Sequence, residues 1–172
     1  MSDVFLSIGG NLGNRLENLA QCQQKLDEQL TIQTFSPVYE SEAWGFDHPK
    51  DFYNQVLKCE TELTPASLLK VCNAIEKAMG RQRKPKSGQK YSGRIIDIDI
   101  VFYGDQIIQN NDLSIPHPGL YKRLFVLLPM RDIAPEFTDP ASGKTIDQLI
   151  FMCPDDSFIR KTDHPSKLIT HG

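Results

Sequence analysis

The chain has 172 residues, 40% of them hydrophobic and 24% charged, and a formal net charge of −3. This size and composition suit one compact domain with a single core over 1–172. No basic stretch leads into an apolar run at the N-terminus, and no apolar run approaches the ~20 residues that span a bilayer. The four cysteines match no CxxC or zinc-binding spacing. We therefore expect a cytoplasmic protein without disulfides, zinc or a membrane partner.

The first part of the chain predicts a strand, a helix and two more strands. The strand 3–8 is ended by glycines, and apolar residues at helical spacing from Asn14 to Leu30 predict an amphipathic helix. Strands are expected at 31–39 and 52–63. Between the first strand and the helix, GGNLGNR lacks the Lys-Ser/Thr of a phosphate loop, so we interpret its glycines as allowing a tight turn beside a ligand.

A second helix is predicted to begin at Thr64 and Pro65 and to end at Gly80, since proline suits the first helical position and glycine the residue after the last. The next strand, RIIDIDIVFY over 94–103, alternates strictly in sequence. Its core face is expected to carry Ile96, Ile98, Ile100 and Phe102.

Beyond this strand the signals become weaker. A turn at Gly104 should return the chain through 106–109, and 121–133 is helical in period but contains Pro129. One more short helix is expected at 145–152. The polar segment after residue 154 is expected to be a loosely ordered tail.

The order strand, helix, strand, strand, helix, strand predicts the ferredoxin-like α+β fold. Its sheet is mostly antiparallel with helices packed on one face, and we expect the other face to be free for a ligand. This fold supports many functions, so the function must be inferred from the site.

Asp97 and Asp99 are the first candidate functional residues. Two positions apart on one strand, their side chains share a face, with Cα atoms ~6.5–7 Å apart. Hard oxygen ligands without histidine or cysteine suit Mg²⁺, which takes one or two carboxylates together with substrate phosphates. A pair of solvated surface aspartates is the alternative. The apolar neighbours Ile95 and Val101 favour the metal, because like charges among apolar residues are costly without a cation.

The segment between Glu76 and Asp97 is strongly basic. Its charged side chains are Lys77, Arg81, Arg83, Lys84, Lys86, Lys90 and Arg94. On an otherwise acidic chain this favours an anionic ligand, with a solvated basic loop as the alternative. The candidate polyphosphate ligands are Arg81, Arg83, Arg94, His117 and Arg123. For any single arginine, a solvated surface base is a simpler interpretation than a phosphate ligand. For His117, a turn histidine that is hydrogen-bonded to the backbone is as good an interpretation as a phosphate ligand.

Several motifs together resemble the 6-hydroxymethyl-7,8-dihydropterin pyrophosphokinase family. They are IGGNLGNR, YESEAWG, FYNQV, GRIIDIDIVFYG and IPHPGLYKRLFVLLPMRDIAPE. The resemblance extends from the first strand to about Ile150. It implies a monomeric enzyme that uses ATP and two Mg²⁺ ions to convert the hydroxymethyl dihydropterin to its diphosphate, with AMP as the second product, in folate biosynthesis.

The resemblance also implies roles for individual residues. The catalytic residues would be Arg81, Arg83, Arg94, Asp97 and Asp99, of which the two aspartates hold the metal. The ATP-binding residues would be Glu76, Arg83, Ile100, Leu113, Ser114, His117 and Arg123. The pterin-binding residues would be Ser41, Glu42, Trp44, Phe52, Asn54, Tyr91 and Phe125.

Three departures from the family pattern bear on these roles. Gly10 stands where the family usually has serine. Tyr91-Ser92-Gly93 replaces Trp-Gly-Pro, and Ser41-Glu42 replaces a frequent Thr-Pro. Tyr91 can still cover the pterin as an aromatic lid.

Two other functions share part of this sequence pattern. A noncatalytic RNA-binding module also combines such a sheet with basic residues, but the sequence has no RNP-type aromatic pattern and the acidic pair would lie on the binding face. No nucleic-acid partner is therefore expected. The second alternative is a phosphotransferase that acts on another small alcohol.

Overall fold

The structure, a computed structural model, describes residues 1–42, 51–80 and 93–169. The elements from the N-terminus to the strand that carries Asp97 and Asp99 are β1 (Ser2–Gly10), α1 (Arg15–Asp27), β2 (Thr31–Phe35), β3 (Tyr39–Ser41), β4 (Phe52–Thr61), α2 (Pro65–Ala78) and β5 (Asp97–Tyr103). They are followed by β6 (Ile108–Gln109), β7 (Ser114–Ile115), a 3₁₀ helix (Pro118–Lys122), α3 (Leu124–Ile133), α4 (Ile146–Met152) and β8 (Ile159–Lys161).

The main sheet has the order β5-β1-β4-β3-β8, and β2 also pairs with β4. Every pair in it is antiparallel. The predicted α+β class with an antiparallel sheet is confirmed. The predicted strand 31–39 is divided in two at Ser36, whose hydroxyl accepts a hydrogen bond from the Val56 N–H of β4. The predicted return strand 106–109 pairs with β7 instead of the main sheet.

The two central helices begin where the sequence predicts, and α2 also ends there, whereas α1 ends at Asp27, before the predicted Leu30. Asn14 accepts a hydrogen bond from the Glu17 N–H at 3.1 Å, and Thr64 accepts one from the Ser67 N–H at 3.1 Å. Each bond satisfies a donor that the first turn of a helix leaves unpaired. Gly80, just beyond α2, has φ of 96°, a conformation that favours glycine.

Helices cover both faces of the sheet, which corrects the expectation that one face is free. On the first face α1 and α2 close a core that includes Leu6, Leu19, Leu57, Leu68 and Ile98, all nearly inaccessible to solvent. On the second face α3 and α4 close a smaller core that includes Phe5, Val101, Phe102, Leu127 and Ile146. This second core covers only part of its face, and the remainder is open to a ligand.

A β-bulge in β5 changes the predicted distribution of side chains. Leu6 of β1 pairs with Ile100 and the preceding Phe5 pairs with Phe102, so Val101 is an extra residue. Val101 and Phe102 both pack in the second core, while Tyr103 returns to the first. The prediction that Phe102 shares a face with Ile96, Ile98 and Ile100 is therefore wrong, because a bulge shifts the alternation by one residue.

The segment after residue 154 is better ordered than expected over its described part. It forms β8, which pairs with β3. Further on, the Leu168 N–H donates to the Gln23 side chain at 2.8 Å, and the Ser166 carbonyl accepts from the side-chain amides of Gln23 and Gln55. These contacts show that the expectation of a loosely ordered tail is wrong for 155–169. The long-range hydrogen bonds could not be recognised in a polar sequence.

Candidate active site

A cavity of about 510 Å³ lies over the open part of the second sheet face. The predicted site residues that line it are Ser41, Glu42, Phe52, Asn54, Arg94, Asp97, Asp99, Arg123 and Phe125. Residues predicted to bind pterin thus share one cavity with residues predicted to bind metal and phosphate. The predicted site residues Trp44, Arg81, Arg83 and Tyr91 lie outside the described residues.

A second cavity, of about 290 Å³, adjoins the first at Asp99, which lines both. Its walls include Ile100, Leu113, Ser114 and His117, all four of them predicted ATP-binding residues. The turn 110–113 between β6 and β7, together with Ser114 of β7, supplies one side. The larger cavity is therefore a candidate pterin site and the smaller a candidate nucleoside site, with Asp99 where the two meet.

Asp97 and Asp99 project from the same face of β5 and are half-exposed, with 36% and 39% of their side chains accessible. On β1 they stand opposite Gly9 and Ser7, whose small size leaves room above the sheet. Two of the described cations lie close to this pair, and each forms an ion pair with one aspartate. The Arg94 Nε is 3.6 Å from Asp97, and an Arg123 guanidinium nitrogen is 3.7 Å from Asp99.

These two carboxylates fit a magnesium site that the substrate completes. The described part of the chain contains no cluster of three or more histidine, cysteine or acidic side chains suited to a metal. Mg²⁺ keeps several waters and commonly takes only one or two protein carboxylates together with substrate phosphates. The donor set of Asp97 and Asp99 has that chemistry, whereas zinc sites in proteins usually include histidine or cysteine ligands.

The bulge in β5 positions His117. The carbonyl of the bulged residue Val101 accepts a hydrogen bond from the His117 N–H at 3.0 Å. The ring Nδ1 accepts from the Gly119 N–H at 3.0 Å, so Nε2 carries the hydrogen in the neutral ring and lies 3.7 Å from Asp99. Burial lowers the pKa of His117 below its ordinary value, Asp99 opposes this shift and Arg123 reinforces it. His117 is therefore both a turn histidine and a residue of the candidate site.

Arg94 is held by the loop that follows β1. Its carbonyl accepts from the N–H groups of Asn11 and Leu12 at 2.8 and 3.0 Å, and its own N–H donates to the Asn11 side chain at 2.8 Å. Asn11 is completely buried. The glycine-containing run after β1 thus anchors the backbone of a predicted phosphate ligand.

Gly9 and Gly10 lie within β1, not in a tight turn, which corrects their interpretation. A Cβ on Gly10 would stand 2.1 Å from the Ile95 carbonyl oxygen, and one on Gly9 would stand 2.3 Å from the Asn54 side-chain oxygen. Both distances are shorter than the closest approach of a real Cβ atom to a non-bonded atom. The departure from the family's usual serine at Gly10 therefore matches a close approach of β1 to the segment that precedes β5.

The remaining predicted residues occupy different environments. Asn54 is buried and donates to the Ser41 hydroxyl at 2.7 Å, while Phe52 and Phe125 are half-buried in the cavity wall. The Glu42 carboxylate accepts a hydrogen bond from the Phe158 N–H. Glu76 is not brought to either cavity. It is buried beneath β5, where its carboxylate accepts from the Ile98 N–H at 2.8 Å.

Several cavity residues were missed by the sequence analysis. They are Ser7, Gly9, Lys122, Pro154, Asp155, Asp156 and Ser157. Strand alternation could have identified Ser7 and Gly9, because β1 lies beside the strand of the acidic pair. No local sequence signal predicts that the segment 154–157 lies at the cavity, because contacts with residues distant in sequence place the segment there.

Comparison with known proteins gives the family. The family model for 7,8-dihydro-6-hydroxymethylpterin-pyrophosphokinase (HPPK) matches residues 5–135, which include most of this site. The chain belongs to this family. It is 40% identical to the 2-amino-4-hydroxy-6-hydroxymethyldihydropteridine pyrophosphokinase of Aquifex aeolicus over 85% of this chain and 89% of that protein. It is also 38% identical to the Folic acid synthesis protein FOL1 of Dictyostelium discoideum over 97% of this chain. The predicted family and enzyme class are confirmed.

Solved structures confirm the ferredoxin-like fold of the pyrophosphokinase family. The HPPK-DHPS of Plasmodium falciparum superposes with a TM-score of 0.67 at 19% identity, over 87% of this chain and 43% of that one. The chain also spans only 25% of the Dictyostelium protein. Across the described ranges, no helix has the length and apolar character needed to cross a membrane.

Proposed function

We propose that this chain transfers the diphosphoryl group of ATP to the hydroxymethyl group of 6-hydroxymethyl-7,8-dihydropterin, releasing AMP, at the junction of the two cavities. The observation that supports this most strongly is the position of Asp99, which lines both cavities. A pterin in the larger cavity and a nucleotide in the smaller one would meet beside the acidic pair. That arrangement suits direct transfer between two bound substrates.

The pterin is proposed to lie between Phe52 and Phe125. An aromatic bicyclic ring suits a slot with aromatic walls, where stacking adds to the burial of apolar surface. Asn54 lies on the floor of the same cavity. Its amide nitrogen is held by Ser41, so its orientation is fixed before a ligand binds. Such a fixed polar group suits recognition of the polar edge of a pterin.

Asp97 and Asp99 are proposed to hold two Mg²⁺ ions against the phosphates. Bound metal would screen the polyphosphate charge and stabilise the attacking and leaving oxygens of the β-phosphorus. The two aspartates supply charge and position, so neither is assigned as a base. Arg94, Arg123 and His117 surround them and are proposed to contact phosphate oxygens, which suits a transfer that depends on positioning and charge stabilisation.

The proposed reaction is tested by incubating the protein with ATP, Mg²⁺ and the dihydropterin and separating the nucleotides by chromatography. AMP should form in a 1:1 ratio with the pterin diphosphate, and both products should disappear when the pterin is omitted or the metal is chelated. Formation of ADP would show transfer of a single phosphoryl group. Turnover with another small alcohol but not with the pterin would also contradict the proposal.

We further propose that the enzyme acts as a monomer. The described residues that are proposed to bind pterin, metal and nucleotide already come together within one copy of the fold, so we expect no contribution from a second copy. Specific activity should therefore be independent of protein concentration. A rise in specific activity that follows dimer formation in light scattering would contradict this proposal.

A further inference from the structure

The segment 154–157 forms a wall of the larger cavity, opposite the strands. It lies beyond residues 5–135, which the family model matches. Within it, Asp155 is half-buried and makes three hydrogen bonds. One carboxylate oxygen accepts from the Leu124 N–H at 3.0 Å, and the other accepts from the Ser157 N–H at 2.9 Å and from the Ser157 hydroxyl. Asp155 thus links this segment to the first residue of α3.

Helix α3 depends on this link for its N-terminal cap. Arg123 occupies the capping position, but its side chain makes no capping hydrogen bond. The first N–H groups of a helix have no partner within the helix, and a carboxylate there also interacts favourably with the helix dipole. Asp155 supplies this acceptor from 31 positions away in sequence.

The capped residue, Leu124, lies between two residues of the candidate site. Arg123 comes before it and Phe125 after it, and both line the cavity. The Arg123 guanidinium also lies 3.7 Å from Asp99 and 5.6 Å from the centre of the Phe125 ring. A movement of the Leu124 backbone would therefore move a proposed phosphate ligand and a proposed pterin-stacking residue together.

The same segment is fixed on its other side. The Phe158 N–H donates to the Glu42 carboxylate, and the Phe158 carbonyl accepts from the Glu42 N–H at 3.3 Å. Glu42 directly follows Ser41, the last residue of β3, which pairs with Phe52, the first residue of β4. The segment 154–158 consequently connects the wall that carries Phe125 to the wall that carries Phe52.

We propose that Asp155 is a positioning residue of the pyrophosphokinase site, which sets the spacing of the aromatic walls by holding the first turn of α3. This inference rests on the proposed function. Asp155 acts through Arg123 and Phe125 and is not assigned a contact with either substrate. Its loss should weaken pterin binding more than nucleotide binding, because the nucleotide site is also formed by β5, β7 and His117.

The test compares Asp155→Ala and Asp155→Asn with Asp163→Ala, an exposed aspartate of the same C-terminal segment. Alanine removes the acceptor of the Leu124 N–H, whereas asparagine retains one oxygen for it. Asp155→Ala should raise the pterin KM and dissociation constant about tenfold and the ATP KM less than about threefold, on the scale of a lost cap. Asp155→Asn should remain within about threefold of wild type, and Asp163→Ala should be unchanged.

Hydrogen exchange of the Leu124 amide provides a readout that needs no substrate. It should become faster in Asp155→Ala than in wild type or Asp163→Ala. Unchanged pterin affinity in Asp155→Ala would overturn the proposal. An equal loss of pterin affinity in Asp155→Asn and Asp155→Ala would also overturn it, because it would indicate a role for the charge and not for the cap. An equal loss of affinity for both substrates, together with general unfolding, would overturn it as well. If the wild type itself binds no pterin, the proposed function fails while the exchange result still tests the cap.

Discussion

The two faces of the main sheet serve different purposes although the same strands form both. On the first face, α1 and α2 cover the strands, and the buried side chains are mostly apolar, with Gln23, Gln55 and Glu76 among the polar exceptions. On the second face, α3 and α4 cover only Phe5, Val56, Val101 and their neighbours. The uncovered part carries Ser7, Asn54, Asp97 and Asp99.

Strand β5 shows what this difference means for single residues. Ile98 is buried in the first core, while Asp97 and Asp99 beside it line the cavity. Alternation along one strand thus places a residue that stabilises the fold between two residues proposed to bind metal. Stability and activity should consequently respond to different substitutions, and the following variants test that separation.

The largest effect is expected from Asp97→Asn and Asp99→Asn. Asparagine keeps the size and hydrogen-bonding capacity of the side chain but removes the charge that holds Mg²⁺. Each variant should lose about 10² to 10⁴ in kcat, equivalent to ~3–5 kcal/mol of transition-state stabilisation. Steady-state kinetics measures this loss.

The control for these variants is binding in the absence of metal. With Mg²⁺ chelated, ATP should bind to them as well as to wild type or better, because a repulsive charge has been removed. Circular dichroism should show an unchanged fold. Near-normal turnover by both folded variants would contradict the assignment of the acidic pair.

The next test compares one buried leucine on each face. Leu57→Ala in the first core and Leu127→Ala in the second each remove a side chain that is fully buried. Both should lower the free energy of unfolding by about 2–5 kcal/mol, measured by urea denaturation. Only Leu127→Ala should also weaken pterin binding, because α3 carries Phe125. Equal effects on pterin affinity would show that the two faces are not separated.

A smaller loss is expected from Gly10→Ala. The added Cβ would stand 2.1 Å from the Ile95 carbonyl oxygen, so β1 and the chain before β5 must move apart. We expect a loss of about 1–3 kcal/mol in the free energy of unfolding, together with lower turnover because Arg94 is displaced. Wild-type stability of Gly10→Ala would disprove the close approach.

The smallest effect is expected from Phe125→Ala, which should weaken pterin binding by about 1–3 kcal/mol through lost stacking and burial. Nucleotide affinity should be nearly unchanged, as calorimetry with each ligand would show. Phe151→Ala is the control, since Phe151 is 91% exposed on α4. An equal loss of both ligands would mean that Phe125 belongs to the core and not to the pterin slot.

The features that the sequence predicted correctly are mostly local. The cap at Thr64, the start of α1 after Asn14 and the alternation that places Asp97 and Asp99 together depend on residues only a few positions apart. The site residues named from the family resemblance largely converge on the two cavities, apart from those outside the described residues and Glu76.

The features that the sequence did not predict depend on distant contacts. The bulge at Val101 follows from the pairing of β5 with β1, and a one-residue shift is invisible in a strictly alternating sequence. The covering of the second face by α3 and the wall formed by 154–157 depend on Asp155 reaching Leu124 and on β8 pairing with β3. No local composition marks such partners in advance.

The most direct test of the central claim is anomalous diffraction from crystals grown with Mn²⁺, the dihydropterin and an ATP analogue whose α,β-bridging oxygen is replaced by a methylene group. Two manganese peaks should appear within about 2.0–2.6 Å of the Asp97 and Asp99 carboxylate oxygens, between the pterin in the larger cavity and the nucleotide in the smaller. Manganese bound by other side chains, or by the nucleotide away from β5, would contradict the account.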